Sequence, residues 1–274
     1  MIEPESLRPN CAHCAAWCCT ALSFSRSAEF AFDKPVGVPC RNLRADFSCG
    51  IHATLRRDGM KGCTSFDCFG AGQKVTQLTF GGQQNWRGDP TRAPAMFRVF
   101  RAMLDLHEIL WYLALARQTP QASALWPEID EVAEWIEEVT RQPSETLESL
   151  DTLWMNSQIT PLLDAVSDLV RADGAPEHGA SAGQDLSGQD LTGADLRGTG
   201  LAGARLRGTT LTAADLRGVD LSRADLLGAD LRGARLDDAD LSDALFATQM
   251  QLNSANGNPQ TRLPRSLLRP GHWG

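Results

Sequence analysis

From residue 184 the chain repeats itself every five residues, and few folds accommodate that period. Leu stands at 186, 191, 196, 201, 206, 211, 216, 221, 226, 231, 236 and 241, and Phe246 continues the series. Two positions before most of these lies a small residue, Ala at 194, 204, 214, 224, 229, 234, 239 and 244. The position between is polar and usually Asp, as at 185, 190, 195, 215, 220, 225, 230 and 240. Neither a helix, with 3.6 residues per turn, nor a strand, with alternation every two, keeps such a series on one face. A chain that turns a corner every five residues does. Each Leu then points inward, the small residue fits beside it, and the Asp points outward. Stacking one coil on the next at about 4.7–4.9 Å buries a continuous leucine ladder. Gly at 193, 198, 203, 208, 218, 228 and 233 suits corners with backbone angles closed to other residues.

These units resemble the pentapeptide-repeat family, whose consensus is A(D/N)LXX, over residues 184–248. The resemblance implies a right-handed quadrilateral β-helix with four repeats per turn, a platform for a protein partner with no chemistry of its own. Some members of that family mimic DNA and block type II topoisomerases through a long acidic rod. Here Asp185 to Asp243 hold eleven acids against seven arginines, so a mixed-charge solvated surface is the expected reading and DNA mimicry the alternative. Residues 249–274 are polar, then Pro- and Arg-containing, and read as a loosely ordered tail.

Upstream, 91–172 reads as a helical domain. Met96, Phe97, Phe100, Met103, Leu104, His107, Leu110, Trp111 and Ala114 recur at steps of three and four, and Thr119-Pro120 ends the run. A second helix is predicted from near Ser123, with Ile129, Val132, Ala133, Ile136 and Val139 inward and glutamates outward. Thr160-Pro161 reads as the start of a third. Residues 173–183 are rich in Gly, Ala, Pro and Ser and read as a linker.

All eight cysteines lie between Cys11 and Cys68, in a first module spanning 1–90. No apolar stretch near the start resembles a signal peptide and none approaches the ~20 residues of a spanning helix. The expected setting is the cytoplasm, away from membranes, where clustered thiols are metal ligands more often than disulfides. The candidate ligands are Cys11, Cys14, Cys18, Cys19, Cys40, Cys49, Cys63 and Cys68, with His52 as a further candidate three residues after Cys49. Thiolates two to four residues apart can converge on one ion. In an extended segment Cys18 and Cys19 point to opposite faces, so each could serve a different ion. Eight thiolates could fill two tetrahedral zinc sites; the alternative is one iron or iron–sulfur centre using about four of them. Eight thiolates against two dications leave excess negative charge, which the surplus of Lys and Arg over Asp and Glu in 1–101, thirteen against eight, partly offsets.

Cys11-x2-Cys14-x3-Cys18-Cys19, Pro39-Cys40-Arg41-Asn42-Leu43 and Cys49-Gly50-Ile51 resemble the zinc- or iron-chelating family known by its CxxxxCC-type motif, over residues 11–70. This chain has one extra residue before the Cys pair, and Cys63-x4-Cys68 replaces the family's later Arg-Pro-x2-Cys element. His13 is expected to face away, and His107, on an apolar helix face, to be a hydrogen-bonded core residue. The segment Phe69-Gly70-Ala71-Gly72-Gln73 lacks the spacing of a phosphate loop and reads as a close-packed turn.

The net charge of -8 argues against direct binding of nucleic acid through phosphates. No Ser/His/Asp arrangement or paired carboxylates mark a hydrolytic site. The expected molecule is multi-domain: a small cysteine-rich metal-binding module, a short helical segment and the β-helix. It is expected to act as an interaction scaffold or a metal or redox sensor, with an iron-dependent redox enzyme as the alternative.

Overall fold

The computed structural model describes residues 2–172 and 183–274. The expected linker therefore lies, apart from Gly183, outside the described residues. The chain divides into two compact units, Met1–Ala114 with Pro127–Pro161, and Leu115–Trp126 with Leu162–Gly274. The helices are α1 (Trp17–Ala21), α2 (Lys61–Ser65), α3 (Ala71–Lys74), α4 (Ala93–Arg117), α5 (Trp126–Thr140), α6 (Ser144–Glu148), α7 (Thr152–Ala172) and α8 (Gln249–Ser254). No helix among the described residues is long and apolar enough to cross a membrane.

In the first unit the apolar stripe of α4 does what its spacing demands. Met96, Phe100, Met103, His107 and Leu110 are buried. Trp17 of α1 packs among Phe80, Phe97 and Phe100, with its ring centre 5.8 Å from that of Phe80 and 6.3 Å from that of Phe100. α5 is tied to α3 by Lys74 and Glu137, 2.9 Å apart. The expected helix start at Thr160-Pro161 is corrected. α7 begins at Thr152, where the Asp151 carboxylate accepts the Trp154 N–H at 2.9 Å, and runs through Pro161. An Asp cap outcompetes the Thr-Pro signal because it satisfies an otherwise orphaned amide. The proline removes only one bond of the helical ladder.

The second unit contains the repeat. Each bridge joins residues about twenty apart and runs parallel, as in Asp185 with Arg205, Asp190 with Thr210 and Asp220 with Asp240. Four five-residue units therefore make one coil. At each corner the amide of the inward residue donates to the next coil, as from Leu216 to the Arg235 carbonyl at 2.9 Å. The ladder consists of isolated bridges rather than extended strands, because the chain turns before a second pair can form. The leucines of the five-residue series from 201 to 241 are buried, while Leu191 and Leu196 on the first coil are half-buried.

Each aspartate also closes its own corner. Asp190 accepts the amide of Thr192 at 3.0 Å and Asp220 that of Ser222 at 2.8 Å, a side-chain turn that replaces a backbone one. Asp225 departs from the outward expectation: it is fully buried, because Arg207 covers it. The corners also require positive φ. Gly208 adopts 59° without cost, whereas Ala213, Arg223 and Asp238 adopt 57°, 58° and 60° against the usual preference of a residue with a β-carbon.

The loosely ordered tail is corrected too. Asn256 and Arg262 take the next ladder positions, bridging to Arg235 and Asp240. α8 carries a capping box between Thr248 and Gln251. The Gln251 amide donates to the carbonyls of Leu226 and Ala229, at 2.7 and 2.9 Å. Trp273 lies against Gly257, where a β-carbon would stand 2.6 Å from its ring. The segment covers the last leucines, which have no further coil to pack against.

Candidate metal centre

The cysteines are carried by short irregular pieces, so their placement depends on anchors outside the motif. Trp17, next to Cys18, donates its indole N–H to the Thr76 hydroxyl at 2.8 Å. The amide of Ala15 reaches the same oxygen at 3.0 Å, and that hydroxyl donates to the Gly72 carbonyl at 2.8 Å. One threonine thereby joins the Cys14–Cys19 loop to the segment following Cys68. The Trp86 indole holds the Ala15 carbonyl at 2.8 Å. Asn10, which caps the turn Cys11–His13, is fixed in turn by Gln73 at 2.8 Å.

One glycine makes room for sulfurs and another for an aromatic ring. A β-carbon at Gly72 would stand 2.8 Å from the Cys14 sulfur and 3.6 Å from that of Cys68. Both thiols therefore face one open space beside α3, which explains the close-packed turn expected at 69–73. At Gly62 a β-carbon would fall 2.2 Å from the Phe30 ring. Glycine there lets α2 approach the hairpin that Phe24 and Lys34 form, and this positions Cys63.

Cys18 and Cys19 contradict the expectation of opposite faces. They lie on α1, where successive residues are separated by about a third of a turn, and their sulfurs are 4.0 Å apart. The eight thiols then form two overlapping neighbourhoods. The Cys19 carbonyl accepts the Cys40 amide at 2.9 Å, and Leu43, bonded back to Cys40, bridges to Cys49. Thiolate repulsion links Cys63 to Cys19, Cys40 and Cys49. Cys19, Cys40, Cys49 and Cys63 form one set, called here the Cys19 set. Cys14 acts on Cys68 across the Gly72 space, Cys18 is affected by Cys19 first and then by both of these, and Cys11, whose carbonyl accepts the Cys14 amide, is acted on by Cys19 and Cys49. Cys14 and Cys68, with Cys11 and Cys18, which also interact with Cys19, are called the Cys14 set.

Burial and crowding keep most of these thiols protonated. Burial pushes Cys63 up to about 12, with repulsion from Cys19, Cys40 and Cys49 adding to it. Burial pushes Cys68 up to about 11. Burial also raises Cys11, Cys14 and Cys40. Cys18 rises well above its ordinary value by serving as donor to Cys19, then by burial. Cys19 is the exception, lowered to about 7 by that hydrogen bond and then by Lys34. Cations relieve both effects, since a coordinating thiol is deprotonated by the ion itself. Among the described residues no three His, Cys, Asp or Glu side chains already stand at coordinating distance. The thiols are neighbours rather than a closed shell.

The histidines divide. His52 and His13 are exposed, His52 in the single turn His52–Thr54 after Cys49. His107 is 3% exposed, with Nδ1 2.6 Å from the Phe69 carbonyl and Nε2 without a partner. Burial lowers it to about 4, so it is neutral and part of the core. Spacing alone did not single out Lys34, Gly62 or Thr76. The paired close-set glycines flanking the last two cysteines were the available signal.

A family model described as pentapeptide repeats matches residues 182–212 and 211–246. The uncharacterized protein YybG of Bacillus subtilis (strain 168) is 50% identical over 267 residues, covering 97% of this chain and 95% of that protein. Among solved structures, the pentapeptide repeat protein Rfr23 from the cyanobacterium Cyanothece 51142 is 27% identical, with a TM-score of 0.22, over 29% of this chain and 56% of its own. HetL, a pentapeptide repeat protein involved in heterocyst differentiation regulation from Nostoc sp. strain PCC 7120, is 28% identical with a TM-score of 0.16, over 32% and 46%. The chain thus spans about half the length of these two solved structures.

Proposed function

The chain belongs to the pentapeptide-repeat proteins, in one family with the Bacillus subtilis relative over nearly its whole length, and from that premise we propose that its cysteine module binds metal while its repeat presents a surface to a protein partner. The observation that supports the reading is the gathering of all eight thiols within one module, with a glycine where a side chain would fill the space between Cys14 and Cys68. Four thiolates suit a tetrahedral zinc ion, and also an iron centre. The Cys19 set would hold one ion and the Cys14 set a second, with exposed His52 as a substitute ligand beside Cys49. A bound zinc ion in an all-thiolate site is closed to substrate and supplies cross-linking; iron would supply electron transfer. Because burial raises most of these thiols, uptake releases protons and weakens as pH falls.

The coil is read as right-handed, as the family resemblance implies, and the working place of the protein as the cytoplasm. Ion pairs on its surface favour a scaffold over a DNA mimic. Arg197 with Asp195 at 2.7 Å, Arg217 with Asp215 at 2.6 Å and Arg262 with Asp240 at 2.7 Å cancel the acids that would have to imitate phosphates. A sensor role follows from coupling the module's folding to metal.

Replacing Cys18 and Cys19 together by Ser removes one ligand from each set. Metal content measured on the purified variant is expected to fall to less than half that of the parent. Retention of the full content would show that neither residue is a ligand and sink the two-set reading.

A further inference from the structure

The first unit presents two apolar features to solvent. One is a cleft of about 720 Å³ beside the start of α4, with Trp86 and Phe97 in its floor and Val36 and Val38, 67% and 47% exposed, at its mouth. Arg87, Arg98 and Arg101 line it, and no carboxylate among the described residues does. Arg87 is held there by the carbonyls of Ala45 and Arg44, at 2.6 and 2.8 Å. The other feature is a knob, Leu153 and Trp154 in the first turn of α7, 82% and 55% exposed. Its charge is the reverse of the cleft's. Glu145, Glu148 and Asp151 precede it, and no Lys or Arg stands between Arg141 and Arg171.

α4 carries both features. Arg98 donates from Nε to Glu148 at 3.0 Å, and Asp105 accepts the Thr152 hydroxyl at 2.7 Å. Residues 98, 101 and 105 follow at steps of three and four, on one face of the helix. The knob therefore stands beside the cleft, fixed by its own anchors rather than seated in it. The pairing of Arg98 with Glu148 shows that the two charge sets attract. Arg101, exposed between the two anchors, pairs with no carboxylate among the described residues.

We propose that the cleft receives the Leu153–Trp154 knob of a second copy of this chain, reciprocally, in a two-fold dimer. A patch holding knob and socket side by side is self-complementary about a two-fold axis, so each contact is made twice and the assembly closes. An unrelated acidic peptide would fill the cleft and leave the knob in water, whereas a second copy covers both. Docking brings Arg101 towards the acids that precede the partner's knob. Trp and Arg are also the side chains that dominate the centres of protein interfaces. This surface is separate from the cysteine module's thiols and from the repeat.

The test is sedimentation equilibrium of the full-length protein, with the melt of each variant set against the parent's to show that it folds. The parent is expected to be a dimer at on the order of 10 µM chain. Leu153→Lys with Trp154→Lys places cations against the arginine-lined cleft, and Val36→Glu with Val38→Glu places acids against the acidic knob. All four positions are exposed, so neither change empties the core. Each double variant is expected to be monomeric at that concentration, and Arg101→Glu to weaken association about tenfold. Mixing the two double variants is expected to restore a dimer, since one native contact survives and the new lysines face the new glutamates. A monomeric parent would overturn the proposal. So would a dimer that either double variant leaves intact, or a mixture that stays monomeric.

Discussion

Asp225 has no exposed surface and is covered by the guanidinium of Arg207, which also pairs with Asp164 at 2.6 Å and lies 5.6 Å from the centre of the Phe246 ring. Arg207 further donates to the Leu163 carbonyl at 2.9 Å. Within the second unit this one side chain therefore holds the last turns of α7 to the coil. Its neighbour Arg205 repeats the pattern with Asp164 and Asp168. A buried carboxylate that loses its cation is costly, whereas a pair removed together is nearly neutral. Arg207→Met is expected to cost the second unit about 3 kcal/mol. Adding Asp225→Asn should restore a substantial part of that. Urea melts of the two variants check it, and a single variant as stable as the parent would show that the pair holds nothing.

The inward register makes a sharper contrast possible on one ladder. Leu216 is fully buried between coils, whereas Leu191 on the first coil is half-buried. Asp at 216 would place an unpaired charge where no water reaches, and the cooperative melt of the coil should vanish. Asp at 191 keeps water beside it and should cost about 1–2 kcal/mol. Circular dichroism against temperature distinguishes the two. Equal behaviour would mean that the leucines do not all face one core.

His107 ties the first unit's stability to pH. Burial lowers it to about 4 against partial support from the Phe69 carbonyl, with smaller opposing effects of Lys74 and Glu137. The unfolded chain takes up the proton near pH 6.5, the folded one only near 4. The stabilisation is therefore fully present above pH 6.5 and is lost as pH falls towards 4, on the order of 3 kcal/mol in all. His107→Phe, which cannot titrate, should flatten that slope between pH 6.5 and 4. A parent and variant with parallel stability profiles across this window would contradict the assignment.

The coil was legible because a strict five-residue period has so few physical solutions, and leucines deliver that period without interruption. Its continuation through Asn256 and Arg262 was not, since a backbone ladder needs only amides and carbonyls and leaves no side-chain pattern. Asp225 read as outward because periodicity reports the corner and not the arginine folded over it. The cysteines announced a cluster through local spacing, but their grouping depends on meetings between distant segments, such as Cys19 with Cys40. Lys34 looked like any surface lysine. Its burial comes from three carbonyls that only the folded hairpin brings together. Pro161 shows the converse error, a strong local signal overruled by a better cap at Asp151.

The central claim is that the cysteine module holds metal, and it is tested most directly by elemental analysis with an absorption spectrum on protein purified without oxygen. The account predicts about two metal ions per chain, colourless if they are zinc and with visible bands if they are iron. Metal-free protein with eight thiols open to a thiol reagent would contradict it.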